Sequence, residues 1–318
     1  MKSVCLAILN YNGVHHLEHL LPSAIEAVAD FGQPCPIVVL DNQSTQNDQQ
    51  WVQKHFPGVN FIRAPRNEFM FSYNWLAEQR REEVMVLLNN DVRLTKGFLQ
   101  PLLQHLDAPD VFSVCAKSLS WDGAAATCGP AKLLQVHGFY RWHYETERQE
   151  FAHTLFSSSG FMAVDREKFL QLGGFCRLFY PMYCDDLDLG FRAWRRGWRS
   201  IYEPRSVLYH HDSGSSGSKW VQENHLKNSL LFEWANLPLE GRRLERLART
   251  VNVMRHHLMH GKIDWPRIWF KTWWSWVQVR KKYRHFKINK VQLGRIQAQI
   301  ASPVRSPDEQ APRNNPGD

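Results

Sequence analysis

The 318-residue chain lacks several things that would each have settled its class. No run of about 18 consecutive apolar residues occurs, so no membrane-spanning helix is expected. There is no G-x-G-x-x-G and no G-x-x-x-x-G-K-[ST], which argues against a dinucleotide fold and a phosphate-cradling P-loop. H-E-x-x-H and G-x-S-x-G are missing too, so neither a zinc protease nor a nucleophile elbow is encoded. Cysteine is sparse: Cys5, Cys35, Cys115, Cys128, Cys176 and Cys184 form no C-x-x-C pair and no regular framework. They read as reduced structural thiols of a cytosolic protein. The apolar run VCLAIL (4–9) ends at Asn10, too short for a secretory leader, and reads as a buried strand.

Acidic residues are scarce in one region only. Residues 1–218 carry 20 Lys/Arg against 23 Asp/Glu, whereas residues 219–300 carry 17 against 5. The net charge of +8 therefore belongs to a C-terminal segment. Catalysis and contact with an anionic surface separate along the chain.

What is present first is alternation. Residues 4–9, 36–41, 59–64 and 84–91 read as strands, and 15–30, 46–55 and 72–83 as helices. Strands alternating with helices imply an α/β fold with a mostly parallel sheet covered on both faces. Ligands in such sheets bind beyond the carboxyl ends of the strands, where Asp41 and Asp91 fall. Residues 1–115 read as a nucleotide-binding half. Residues 116–165 are less regular and suit a β-rich acceptor region; 166–172 and 185–197 read as helices closed by Gly173-Gly174 and Gly197. Residues 200–211 read as a strand pair or an extended segment, and DSGSSGS (212–218) as a flexible loop.

Three segments carry groups with chemistry. In MYCDDLDLGFRAWRRGW (182–198), Asp185, Asp186 and Asp188 fall within four positions at a helix start. They serve the helix dipole, or one of them is a base whose pKa burial has raised. In LLNNDV (87–92), Asp91 ends a buried strand; it suits a turn, or Mg²⁺ or Mn²⁺ holding a substrate phosphate. In LYHHDSG (208–214) the His pair is structural, or supplies an imidazole that suits Mn²⁺ better than Mg²⁺.

Taken in order, these segments resemble inverting family 2 glycosyltransferases of the GT-A fold, especially bacterial rhamnosyltransferase-like members. The resemblance covers about residues 3–235. It rests on ILNYNG (8–13), LDNQST (40–45), RNEFMFSYN (66–74), LNND (88–91), SSSGFMAVDREKF (157–169) and GGF followed by MYCDDLDLGFRAWRRGW. It implies a GT-A catalytic domain over 1–235, with an acceptor half over about 116–235. It implies that Tyr11 lies against the nucleobase and that Asp41 accepts from it. Asn67, Asn74, Asn89 and Asn90 are implied donor contacts, and Asp91 and His210 metal ligands for Mg²⁺ or Mn²⁺. Asp186 is implied as the catalytic base, with Asp185 and Gly160 at the acceptor and Asp188 and Arg192 fixing the helix. Two departures stand out: Asn89 occupies the first position of the family's D-x-D, and Glu68 and Ser72 stand where the family tends to have Gly.

The implied partners are a nucleotide-sugar donor, with deoxythymidine-diphosphate rhamnose favoured, and a glycan or lipid-linked acceptor. No nucleic-acid partner is expected. The competing readings are a metal-dependent nucleotidyltransferase, which NYNGVHHLEH does not support with a phosphate loop, and a non-enzymatic nucleic-acid binder, which the acidic first 218 residues oppose. Beyond the catalytic region, residues 236–300 read as a basic, Trp-rich helical extension. It holds an amphipathic helix over 242–260 and five tryptophans over 265–284. Residues 265–290 suit an anionic membrane surface, or a helix packed on the catalytic domain. The expected location is the cytoplasm, at the inner face of the membrane. Residues 301–318 read as a disordered tail.

Overall fold

A computed structural model describes residues 2–136, 139–211, 218–238 and 265–304, with Val251 and Arg255 besides. The amphipathic pattern over 242–260 otherwise lies outside the described residues, as do most of the loop over 212–218 and the tail from 305.

Three of the first four strands are buried apolar runs that end in polar residues, and the third in the chain, an edge strand, is half polar. The four are β1 (Val4–Asn10), β2 (Ile37–Asp41), β3 (Asn60–Arg63) and β4 (Val84–Asn89). Between them lie α1 (Val14–Phe31), α2 (Asp48–His55) and α3 (Ser72–Gln79). All four strands are parallel, in the order β3-β2-β1-β4. Side chains alternate across the sheet. Leu6 and Ile8 of β1 therefore pack under α1 with Leu17, Leu20 and Leu21, while Cys5 and Ala7 face a second core with Phe71, Tyr73 and Leu76.

Beyond β4 the sheet becomes mixed. The chain adds β5 (Val92–Leu94), α4 (Leu99–Gln104), β6 (Val111–Ser120), β7 (Ala131–Val136), β8 (Phe139–Tyr144), β9 (Ala152–His153) and β10 (Phe161–Asp165). Then come α5 (Arg166–Gln171), α6 (Asp185–Arg195) and β11 (Arg199–His210). β10 runs antiparallel between β4 and β6, β11 lies parallel to β6, and β5 and β9 pair antiparallel with β11. The GT-A arrangement expected from sequence is present, and residues 199–210 form one strand with a register shift between Glu203 and Val207. β7 and β8 form a separate hairpin.

α7 (Lys219–Asn236), α8 (Trp265–Tyr283) and α9 (Lys290–Ala301) complete the described chain. Ser218 caps α7 by accepting from the Val221 amide, and Asn289 and Gln292 form a capping box on α9. Ile288, Leu293, Ile296 and Ile300 are buried in the catalytic core, so the end of the extension is packed, not free.

Candidate active site

Parallel register puts polar strand ends in line. Asn10 pairs with Asp41 across β1 and β2, and Leu9 pairs with Asn89 across β1 and β4. β10 enters antiparallel beside β4, so the Asn89 amide donates to the Gly160 carbonyl at 2.8 Å. β11 ends against the start of β5, with His210 opposite Val92. Topology thus gathers Asn10, Asp41, Asn89, Asp91, Gly160 and His210 along one carboxyl edge.

The nucleotide side is a buried hydrogen-bond web. Asp48 is fully buried; its Oδ2 accepts from Asn10 Nδ2 at 2.7 Å, from the Gly13 amide at 2.9 Å and from the Ser44 hydroxyl at 3.2 Å. Asn10 Oδ1 in turn accepts from Asn90 Nδ2 at 2.9 Å. A Cβ on Gly13 would lie 2.0 Å from Asn90 Nδ2, so only glycine lets the loop approach this closely. Asp41 is buried, accepts from the Ser44 amide at 3.2 Å and lies 3.5 Å from Arg63 Nε. A carboxylate accepts about four hydrogen bonds, so Asp41 keeps capacity for a further donor. Tyr11 is 49% exposed above this edge, as a residue stacking on a ligand must be. Asn10, Ser44 and Asp48 escaped sequence reasoning. Their signal was present, since Asn10 ends a buried strand and Asp48 follows Asp41 in DNQSTQND.

Two expected donor contacts have other work. Asn74 donates from Nδ2 to the Phe175 carbonyl at 2.9 Å and accepts the Phe175 amide at 2.8 Å. It therefore clamps the Gly173–Phe175 turn. Asn67 accepts the Phe69 amide at 3.1 Å and so shapes its own loop. Spacing cannot separate an amide that faces a ligand from one that closes a turn.

Asp91 and His210, the residues expected on the metal side, lie together. Asp91 Oδ1 is buried without a hydrogen-bond partner and lies 3.4 Å from His210 Nε2. A buried bare carboxylate oxygen beside an imidazole fits a divalent cation, with substrate phosphate supplying further oxygens. Among the described residues no group of three or more His, Cys, Asp or Glu is disposed around a metal. Donor oxygens would therefore have to complete the set. Ring contacts join His16 to His211 and His211 to Trp121 nearby, and burial with the neighbouring His15 holds His16 below its usual range. These rings were not anticipated.

On the opposite side α6 begins. Tyr183 and Cys184 precede it with φ of 69° and 63°, a left-handed turn that sets Asp185 and Asp186 at the first turn of the helix. Asn12, Gln43 and Phe69 also have positive φ, all in loops at this edge. Non-glycine residues held there cost about 1–3 kcal/mol each and mark a preorganised site. The Asn228 side-chain amide of α7 secures the turn, donating toward the Met182 carbonyl at 2.7 Å and the Tyr183 carbonyl at 3.0 Å. Asp188 is buried against Arg192 at 2.6 Å, and Arg192 donates to the Leu172 and Gly174 carbonyls at 2.7 and 2.8 Å. Asp188 and Arg192 thus fix the helix, as expected.

Asp185 is buried and Asp186 half-buried. Desolvation raises Asp186 to about 6, offset in part by hydrogen bonds from the Leu187 and Ser159 amides. Burial, and then the Asp186 charge, raise Asp185 further, to about 8. Burial thus raises both carboxyls, and the charge of one opposes ionisation of the other, so the pair is held short of full ionisation near neutrality. The Ser159 hydroxyl lies 3.4 Å from Asp185 Oδ2. Residues 159–160 thus touch the acid pair on one side and Asn89 on the other.

Two results follow locally. A Cβ on Gly160 would lie 2.8 Å from Asn89 Nδ2. Gly160→Ala is expected to displace that amide and lower kcat/KM by about 10- to 100-fold with the melting temperature little changed, measured by steady-state kinetics and calorimetry. For Asp185 the folded pKa lies above the unfolded one, so stability falls as pH rises from about 4 toward the folded value near 8. Asp185→Asn removes that cost and is expected to stabilise the fold at pH 8 and to change it little at pH 4, read from denaturant melts at the two pH values.

A mixed sheet of this order, flanked by helices, is the fold of a GT-A glycosyltransferase. The chain belongs to glycosyl transferase family 2, whose sequence pattern matches residues 3–173. It is 27% identical over 206 residues to the O-antigen biosynthesis protein RfbC of Myxococcus xanthus, covering 59% of this chain and 16% of that protein. It is 26% identical over 290 residues to an N-acetylglucosaminyl-diphospho-decaprenol L-rhamnosyltransferase of Mycobacterium tuberculosis, covering 79% of this chain and 91% of the relative. Among solved structures, GalNAc-T7 with UDP, GalNAc and Mn²⁺ superposes with a TM-score of 0.56 at 14% identity, covering 84% of this chain and 56% of that one. The Pyrobaculum calidifontis mannosyltransferase PcManGT, in complex with GDP-Man and Mn²⁺, gives 0.54 at 15% identity, covering 94% and 85%.

Proposed function

We propose that this chain transfers a glycosyl group from a nucleotide-diphosphate sugar to a saccharide or lipid-linked acceptor, with inversion at the anomeric carbon, in cell-surface glycan synthesis. The observation that carries the reading is the bridge at Ser159–Gly160, which holds the Asp185–Asp186 pair across from the strand end bearing Asp91. A base on one side and a cation-binding edge on the other suit an in-line displacement.

Tyr11 and Asp41 hold the nucleobase, and Asn89 and Asn90 orient the ribose and diphosphate. Asp91 and His210 would hold Mg²⁺ or Mn²⁺, which would supply positive charge to neutralise the departing diphosphate. Asp186 accepts the acceptor hydroxyl's proton. The acceptor oxygen then bonds the anomeric carbon, and the bond from that carbon to the diphosphate oxygen breaks with its electron pair leaving on the nucleotide. Asp185, protonated, donates a hydrogen bond to the acceptor. The mycobacterial relative's name supports transfer of rhamnose to a polyprenyl-diphosphate-linked acceptor; deoxythymidine diphosphate is our reading of the donor's nucleotide. All six cysteines are unpaired, which supports a reducing compartment such as the cytoplasm as the place of the reaction.

The test is a donor screen with Mn²⁺ or Mg²⁺, repeated with EDTA, reading release of nucleoside diphosphate and the product's anomeric configuration. Metal-dependent release from the rhamnose donor with an inverted product is expected. A retained configuration, or no turnover of any nucleotide sugar, would sink the reading.

A further inference from the structure

We propose that the outward face of α8 is a docking surface for an anionic lipid bilayer. At 3.6 residues per turn, Ile268, Thr272 and Tyr283 fall on one side of this helix, and all three are buried. Trp276 leans on the same core, and Trp269 meets Trp234 of α7 edge-on at 6.1 Å. That side is occupied by the catalytic domain. Phe270 and Trp274 fall on the opposite side, one turn apart, 59% and 55% exposed, with Lys281 farther along the same line. Trp273, 39% exposed, lies on one flank with Arg280, and Lys271 and Lys282 lie on the other.

Packing therefore accounts for only half of this helix. Three large aromatics left in water beside one another are uncommon on a monomeric surface. Here they are framed by cations, and no acidic residue occurs anywhere from Trp265 to Asn289. Aromatic rings at headgroup depth with lysines at their edges make an interfacial helix. Beyond the helix's basic end, His285 and Phe286 line a cavity of about 640 Å³ that also holds Arg195, Arg196 and Arg295, with no acidic lining residue. Charge complementarity thus selects an anionic surface. A second copy would set this face against the same excess of positive charge, which opposes pairing. No described helix is long and apolar enough to cross a membrane, so α8 lies on the bilayer instead of spanning it. The inference goes beyond the reaction, because docking is read without donor or turnover and each can fail without the other.

The experiment is co-sedimentation of the full chain with phosphatidylcholine vesicles, with and without phosphatidylglycerol. Strong partition onto the anionic vesicles only is expected. Each lysine near the surface contributes about fivefold to partition, so replacing Lys271, Lys281 and Lys282 together by Gln is expected to weaken it by about 100-fold. Phe270→Ser with Trp274→Ser is expected to weaken it by about tenfold or more, with the melting temperature kept because both side chains are exposed. Equal partition onto neutral vesicles, or variants that sediment like the parent chain, would overturn the proposal. So would a self-association that these substitutions abolish in a chain that ignores vesicles.

Discussion

Asp186→Asn is expected to lower kcat by about 10²–10⁴-fold while the affinity for the donor stays within about twofold. The side chains are isosteric, so the α6 turn and the hydrogen bond from the Leu187 amide, 2.8 Å in the parent chain, can persist. What is lost is the proton acceptor. Donor binding is read by calorimetry with the nucleoside diphosphate, and turnover by product formation. The parent enzyme's kcat/KM is expected to rise with pH through about 6, as Asp186 loses its proton, because a base acts only when ionised. The variant loses that limb. A variant that turned over near the parent rate, or kept the limb, would remove Asp186 from the role. Asp185→Asn is the contrasting control: it keeps the base and replaces one neutral donor by another, so the pH limb remains.

Asp91→Ala is expected to lower kcat/KM by about 10³-fold or more and to abolish the metal dependence of donor binding. The reasoning starts from Asp91 Oδ1, buried without a hydrogen-bond partner and with His210 Nε2 3.4 Å away. An acceptor left bare in a folded protein costs stability unless a ligand uses it. Asp91→Ala is therefore expected to leave the melting temperature unchanged or slightly raised without metal, and to erase the rise that Mn²⁺ with nucleoside diphosphate gives the parent. His210→Ala is expected to be milder, about tenfold, since one carboxylate and the diphosphate still hold the ion. Loss of activity in Asp91→Ala with an intact metal-dependent rise in melting temperature would move the cation elsewhere.

Both substitutions act on positions readable in the sequence. Asp41 and Asp91 follow the most apolar runs in the chain, and a strand buried on both faces must end where the chain meets solvent and ligand. Three carboxylates beside apolar residues at a helix start marked the segment 182–198, and the family resemblance singled out Asp186 within it. The alternation of runs and amphipathic segments likewise implied the α/β layers and the parallel order of the first half. These features are local, carried by composition and period over a few residues.

What the sequence could not contain was partnership. Asn74 and Asn89 are the same residue type in adjacent motifs; the fold turns one onto the Phe175 backbone and leaves the other beside Gly160. Asp48 lies seven positions beyond Asp41, yet it became the hub of Asn10, Gly13 and Ser44 only when β1 and β2 paired in register. Likewise the proton shared by Asp185 and Asp186 follows from burial under neighbouring elements, and the two sides of α8 separated only once α7 covered one of them. By itself the sequence determined the layers, the polar strand ends and the segments where carboxylates gather, because hydrophobic period and terminal position are one-dimensional. Tertiary structure alone decided which amides close turns, how strongly burial raises the two carboxyls and which tryptophans meet water. Hydrogen-bond partners and desolvation depend on residues that lie far apart in the chain and meet only when the sheet closes.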